Sequence, residues 1–157
     1  MEHNGNMVAL ALAPLAGERL RKAVDALAAL DPDVAQALRR IGYPDPRNRD
    51  PGFATLVRIV LAQQVSTASA AALWRKLEGL TGGEVTPERF LALEDADLRA
   101  AGFSARKAEY ARGLANAVLV GDLDVPALVE LDEEDAIARI TRLRGFGRWS
   151  AEIYLLF

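Results

Sequence analysis

"LRGFGRWSAEIYLLF", residues 143–157, closes the sequence, and its two glycines decide how the rest is read. Gly145 and Gly147 carry no Cβ, so each can take a positive φ or let another backbone come close. The residues after them have the look of a helix start. A Gly-x-Gly turn that opens a helix leaves amide N–H groups unpaired and pointing outward. Such a nest, reinforced by the helix dipole, suits an anion, most simply a phosphate. Arg144 and Arg148 flank the turn and add positive charge to the same side. The same pattern also serves as a plain corner between two helices, and a short glycine motif standing alone favours that simpler reading.

Moving outward, almost every segment reads as helix. "GERLRKAVDALAALD" puts Leu20, Val24, Leu27 and Ala28 on one face at helical spacing. "DPDVAQALRRIG" follows, with Asp31 as N-cap, Pro32 at the first helical position and Gly42 as a stop. "YPDPRNRDPG" is the clearest loop, and its Arg47 and Arg49 read as solvated cations. Helices are predicted from Phe53 to about Gln63 and from Ser66 to about Leu77, with Phe53 and Trp74 in the core. Thr86 caps a short helix at Pro87, and "EDADLRAAG" ends at Gly102. Ser104 caps a longer helix that Gly121 closes, with Ala108, Ala111, Leu114, Ala115 and Val118 along one side. "DVPALVELD" is one short helix. Asp132 caps the next, whose acidic first turn complements the helix dipole. No alternating run suggests a strand pair, so the fold class is all-α, a single domain of short helices over 1–157, with the hairpin and the start of its second helix at 143–157.

The 157 residues suit one domain, and the 51% hydrophobic content can fill a core. Nineteen Lys and Arg against 22 Asp and Glu give a net charge of −3, which argues against a protein coated in positive charge but allows a local basic face. With no cysteine there is no disulfide, thiolate nucleophile or cysteine metal site in this sequence. The apolar run "MVALALAPLA" has no basic residues before it and is too short to span a bilayer, so the N-terminus reads as a soluble tail and helix approach. His3 lies in that tail with no partner that suggests catalysis.

Three segments, in order, resemble one family. "LRGFGRWSAEI" resembles the helix–hairpin–helix element, with Ala151 as the small residue four positions beyond the second glycine. "LVRIVLAQQVSTASAAALW" resembles the helix pair that opens the helix–hairpin–helix DNA glycosylase domain. "AGFSARKAEYARGLA" resembles the Gly-hydrophobic-Ser-x-x-Lys segment of its AlkA-like, 3-methyladenine branch. The resemblance covers roughly residues 50–157 and implies an all-α glycosylase domain in two lobes. It also implies base-excision repair by a monofunctional hydrolase that flips an alkylated purine out of double-stranded DNA and hydrolyses its N-glycosidic bond. Base flipping costs a few kcal/mol of stacking and pairing, less at a damaged pair.

The resemblance assigns roles residue by residue. Gly145, Phe146 and Gly147, with Arg144 and Arg148, hold a DNA phosphate. No cofactor is required, but a Na or K ion is expected on the backbone of Gly145 and Gly147. Gln63 and Gln64 face the DNA between two helices, Gln64 at the position that enters the duplex; an ordinary helix cap is the competing reading. Trp149 stands where bifunctional relatives have a Schiff-base lysine, which points to water as nucleophile. Its ring suits a cationic base, unless it is a core anchor for the hairpin. Tyr154 is the second aromatic candidate for the pocket, although relatives place theirs at the position of Ile153, about 100° around the helix, and a core position is the competing reading. Arg106 and Lys107 sit in the first turn of their helix, a poor place for cations without an anion nearby, which a phosphate or an acid such as Glu109 would provide.

The resemblance places the catalytic aspartate downstream of Phe157, so the sequence is expected to stop short of it, and Glu152 is expected to face solvent or the partner lobe. A monomer in the bacterial cytoplasm or the nucleus is expected, with no membrane partner. Self-association follows if the domain is truly short and its lobe interface bare. Two rivals remain: a helix–hairpin–helix module that binds DNA without excising bases, and a helical protein whose glycine turn binds nothing.

Overall fold

The computed structural model describes residues 17–44 and 51–156. The N-terminal tail with His3, the loop cations Arg47 and Arg49, and Phe157 lie outside the described residues. Helix α1 spans Glu18–Leu30 and α2 Pro32–Ile41. They are followed by α3 (Phe53–Ala62), α4 (Thr67–Leu80), α5 (Pro87–Leu91), α6 (Asp95–Ala100) and α7 (Ala105–Leu119). A 3₁₀ turn at Pro126–Glu130 replaces the short helix expected there, and α8 (Glu133–Thr141) and α9 (Arg148–Leu156) complete the chain. No strand occurs among the described residues, and the all-α expectation holds.

Local chemistry sets these boundaries. Asp31 Oδ1 accepts the Asp33 and Val34 amides at 2.8 and 3.4 Å, with Pro32 just inside α2. Ser66, Thr86, Ser104 and Asp132 likewise accept an amide three residues on, satisfying donors that have no intrahelical acceptor. Glu94 and Asp97 form a reciprocal capping box at α6. Gly102 and Gly121 end their segments with φ of 91° and 81°.

Helix α3 is the centre. Seven of its ten residues are buried, Phe53, Thr55, Leu56, Val57, Ile59, Val60 and Leu61, so it is apolar nearly all round and must be enclosed. Helices α4, α7 and α9 enclose it, α5 packs on α7, and α8 packs on α9. Phe90 stands edge-on to Phe53 at 6.1 Å and to Phe103 at 5.7 Å, which joins α3, α5 and the approach to α7. Trp74 and Phe53 lie in this core as expected.

Helices α1 and α2 behave differently. They pack on each other, but none of the described side chains from 17 to 44 is buried. Leu27, on the face expected to be apolar and covered, is exposed, as are Leu30 and Ile41. The division into lobes therefore appears as a helix pair beside a core built wholly from residues 53–154.

Candidate nucleic-acid interface

The hairpin runs from the end of α8 into α9. Leu143 N–H donates to Ile140 at 3.1 Å and Phe146 N–H to Leu143 at 3.1 Å, which coils the chain tightly through the glycines. Gly145 has φ 94°, and the Tyr110 ring of α7 fills the space where a Cβ would stand. Gly147 takes an ordinary negative-region φ and faces open space, so the two glycines have different reasons to lack a side chain. The Ala151 amide donates to Gly147 O at 3.2 Å and closes the first turn of α9. The amides before it have no intrahelical acceptor and form the positive end of the helix dipole.

One expectation at the turn needs correction. Phe146 does not face DNA: its side chain is buried at 4% exposure and its amide is already used within the turn. The carbonyls of Gly145 and Gly147, where a monovalent cation is expected, each accept a hydrogen bond. The first accepts Gln63 Nε2–H at 3.1 Å and the second opens the ladder of α9, which leaves each oxygen a second lone pair.

The flanking arginines are exposed but paired. Arg144 binds Glu109 of α7 and lies 5.9 Å from the centre of the Tyr110 ring. Arg148 donates through Nη1 to Glu134 at 2.9 Å and through Nε to Glu152 at 2.8 Å. The Arg148 hydrogen bond holds the Glu134 carboxyl below the usual range, and the two acids raise the guanidinium's already high pKa. Glu152 is thus a partner of the hairpin arginine.

Between α3 and α4 the chain makes a sharp turn at Gln63–Val65. Gln64 is exposed with φ 59°, the one positive φ outside glycine among the described residues. Gln63 is turned the other way. Its Nε2 donates to Gly145 O and lies 3.5 Å from Ser150 Oγ, so it joins the turn to the hairpin. Lys107 does not pair with Glu109. Its ammonium donates to the carbonyls of Leu61 at 2.8 Å and Gln63 at 2.7 Å. The partner its position demanded is the partly negative carbonyl end of α3. Burial pulls its pKa below the ordinary lysine value. This role was not read from the sequence, though the misplaced charge was its signal.

Trp149 is 64% exposed and so is no core anchor. It shares a groove of about 490 Å³ with Val65, Ala62 and Ala70, so the groove lies between the turn and the start of α9. Trp74 also lines it, with its ring face covered by Arg58 at 4.2 Å. The expectation for Tyr154 fails. It is buried in the core, and its hydroxyl accepts the Gly52 amide at 3.1 Å at the entrance of α3. Burial raises its pKa and keeps the phenol neutral in that role. Among the described residues, no carboxylate lines the groove.

The comparisons agree with this geometry. The chain is 30% identical over 88% of its length to DNA-3-methyladenine glycosylase 1 of Schizosaccharomyces pombe, and 35% identical over 78% to DNA-3-methyladenine glycosylase 2 of Escherichia coli. It covers 63% and 48% of those proteins, so it spans about half to two thirds of the relatives it matches. A solved structure of an S. pombe 3-methyladenine DNA glycosylase in complex with abasic DNA superposes with a TM-score of 0.77 at 30% identity. The match covers 85% of this chain and 68% of that one. Residues 57–150, more than half of the chain, from within α3 to the first residues of α9, match the HhH-GPD superfamily of base excision DNA repair proteins, and the chain belongs to that superfamily.

Proposed function

We propose that this chain is the DNA-engaging domain of a monofunctional DNA-3-methyladenine glycosylase. The observation that carries the reading is the Gln63–Gly145 hydrogen bond, which sets an exposed, left-handed Gln64 beside the hairpin amides. The likeness to glycosylases of that name, one of them solved with abasic DNA, supports it.

The amides at the start of α9 hold a backbone phosphate. Gln64 enters the stack and hydrogen-bonds the orphaned base, and the flipped purine lies on Trp149, whose π face attracts a cationic alkylated ring. Without a lysine at position 149, water is the nucleophile. Its oxygen bonds to C1′ of the sugar as the N-glycosidic bond breaks, the bonding electrons leave with the base, and a carboxylate takes the proton. That carboxylate also stabilises the positive charge on the sugar. Among the described residues no carboxylate lines the groove, and the proposed chemistry uses no cofactor.

The test compares the chain's affinity for a duplex with an abasic-site analogue and for the same duplex intact, by fluorescence anisotropy. A preference of at least about ten-fold is expected, because the lesion removes most of the cost of opening the stack. Equal affinity for both would replace this reading with a lesion-indifferent DNA-binding module.

A further inference from the structure

The turn that presents Gln64 is poorly supported by its own backbone. The Gln63 amide reaches Val60 O at 3.3 Å and the Val65 amide reaches Ala62 O at 3.4 Å, both at the long end of the range. A left-handed glutamine costs free energy and persists only where its surroundings fix it. Here the fixing contacts come from far along the chain. Lys107, 44 residues from Gln63, ties together the carbonyls of Leu61 and Gln63. Gln63 in turn ties the turn to Gly145, 82 residues away. Tyr110, one helical turn beyond Lys107, packs on Gly145, so α7 grips the turn and the hairpin with adjacent side chains.

We infer that Lys107 and Gln63 are positioning residues that fix Gln64 relative to the phosphate-binding hairpin, so that a phosphate seated on the hairpin delivers Gln64 to the lesion. The inference rests on the reading of Gln64 as the duplex-filling side chain. Neither residue lines the groove beside Trp149. Lys107 is spent on carbonyls and Gln63 on the hairpin, so both act through the turn. An untethered turn would have to become ordered at each encounter, and that entropy would be subtracted from lesion binding while backbone binding stayed the same.

The test uses Lys107→Met, which removes a charge, and Gln63→Met, which removes none, so an effect common to both is not a loss of charge. Each is titrated against an intact duplex and one with an abasic analogue opposite 2-aminopurine, whose fluorescence reports insertion. Circular dichroism checks the fold, and Gln63→Met carries the test alone if Lys107→Met does not fold. Both variants should hold the intact duplex within about two-fold of the original chain and lose about ten-fold in preference for the abasic duplex, as expected for losing a part-buried hydrogen bond that orders the turn. The 2-aminopurine signal should fall with it. Unchanged preference and signal in both variants would overturn the positioning role and leave the glycosylase reading standing. No lesion preference in the original chain would instead sink that reading, and the positioning role with it.

Discussion

At the scale of single residues, the two glycines of the hairpin make opposite predictions. Gly145 combines φ 94° with the Tyr110 ring where a Cβ would stand. Gly145→Ala should therefore cost about 3 kcal/mol in urea unfolding, from strained backbone plus overpacking. Gly147 has neither constraint, so Gly147→Ala should leave the urea midpoint within the shift of about 0.5 kcal/mol seen for ordinary surface changes. Its methyl would still stand between α9 and any phosphate, and anisotropy should show DNA affinity falling about ten-fold if the amides need that approach. A loss of stability with unchanged affinity would mean that Gly147 only makes a corner. Gln64→Gly should show the converse balance, with folding favoured by about 1 kcal/mol through relief of the left-handed strain and abasic preference lost. The sequence made the glycine pair conspicuous but could not separate its members, because what distinguishes them is a tyrosine 35 positions away. Phe146 and Tyr154 were misassigned for a related reason: a motif places residues along a helix, whereas the surrounding helices decide which of them are covered.

At the scale of elements, the hairpin arginines are bound to acids on neighbouring helices, Arg144 to α7 and Arg148 to α8 and to its own helix. Exposed pairs of this kind contribute little to stability, so their larger effect is on what the arginines can do for DNA. Glu109→Gln and Glu134→Gln should each raise affinity for duplex DNA about three-fold, by freeing a cation and removing a repulsive carboxylate, and the gain should shrink as salt rises. The Glu134 carboxyl titrates below its ordinary range, because its hydrogen bond to Arg148 favours the charged form. A group depressed in the folded state stabilises fully above its unfolded pKa and loses that contribution as pH falls through its folded one. Thermal melts of the original chain should therefore decline faster than those of Glu134→Gln as pH drops below the glutamate range. Parallel curves would show the pair to be inert. The caps at Asp31, Thr86, Ser104 and Asp132 were legible in advance because each is a local bond two or three residues long. Lys107 was not, since its acceptors belong to the far end of α3.

At the scale of the molecule, the chain divides into a core that needs no help and a helix pair that gives none. The periodicity of "GERLRKAVDALAALD" correctly marked an amphipathic helix, yet periodicity cannot say whether an apolar face finds a partner. Every residue of the buried cluster lies between Phe53 and Tyr154, whereas Leu30 and Ile41 of the helix pair are 84% and 83% exposed. Hydrophobic stabilisation follows the apolar area removed from water, so α1 and α2 add little of it to the core. A chain beginning at Pro51 should then keep the helical circular-dichroism signal of the remaining elements and melt cooperatively within about 4 °C of the full sequence, the shift produced by roughly 1 kcal/mol in a domain of this size. It should also keep its abasic preference, because Gln64, Lys107, Trp149 and both glycines all lie beyond the cut. A large fall in the midpoint would mean that α1 and α2 stabilise the core through contacts that burial does not register. An unchanged midpoint with lost DNA binding would place part of the interface on the helix pair, whose Arg39 and Arg40 stand in the last turn of α2.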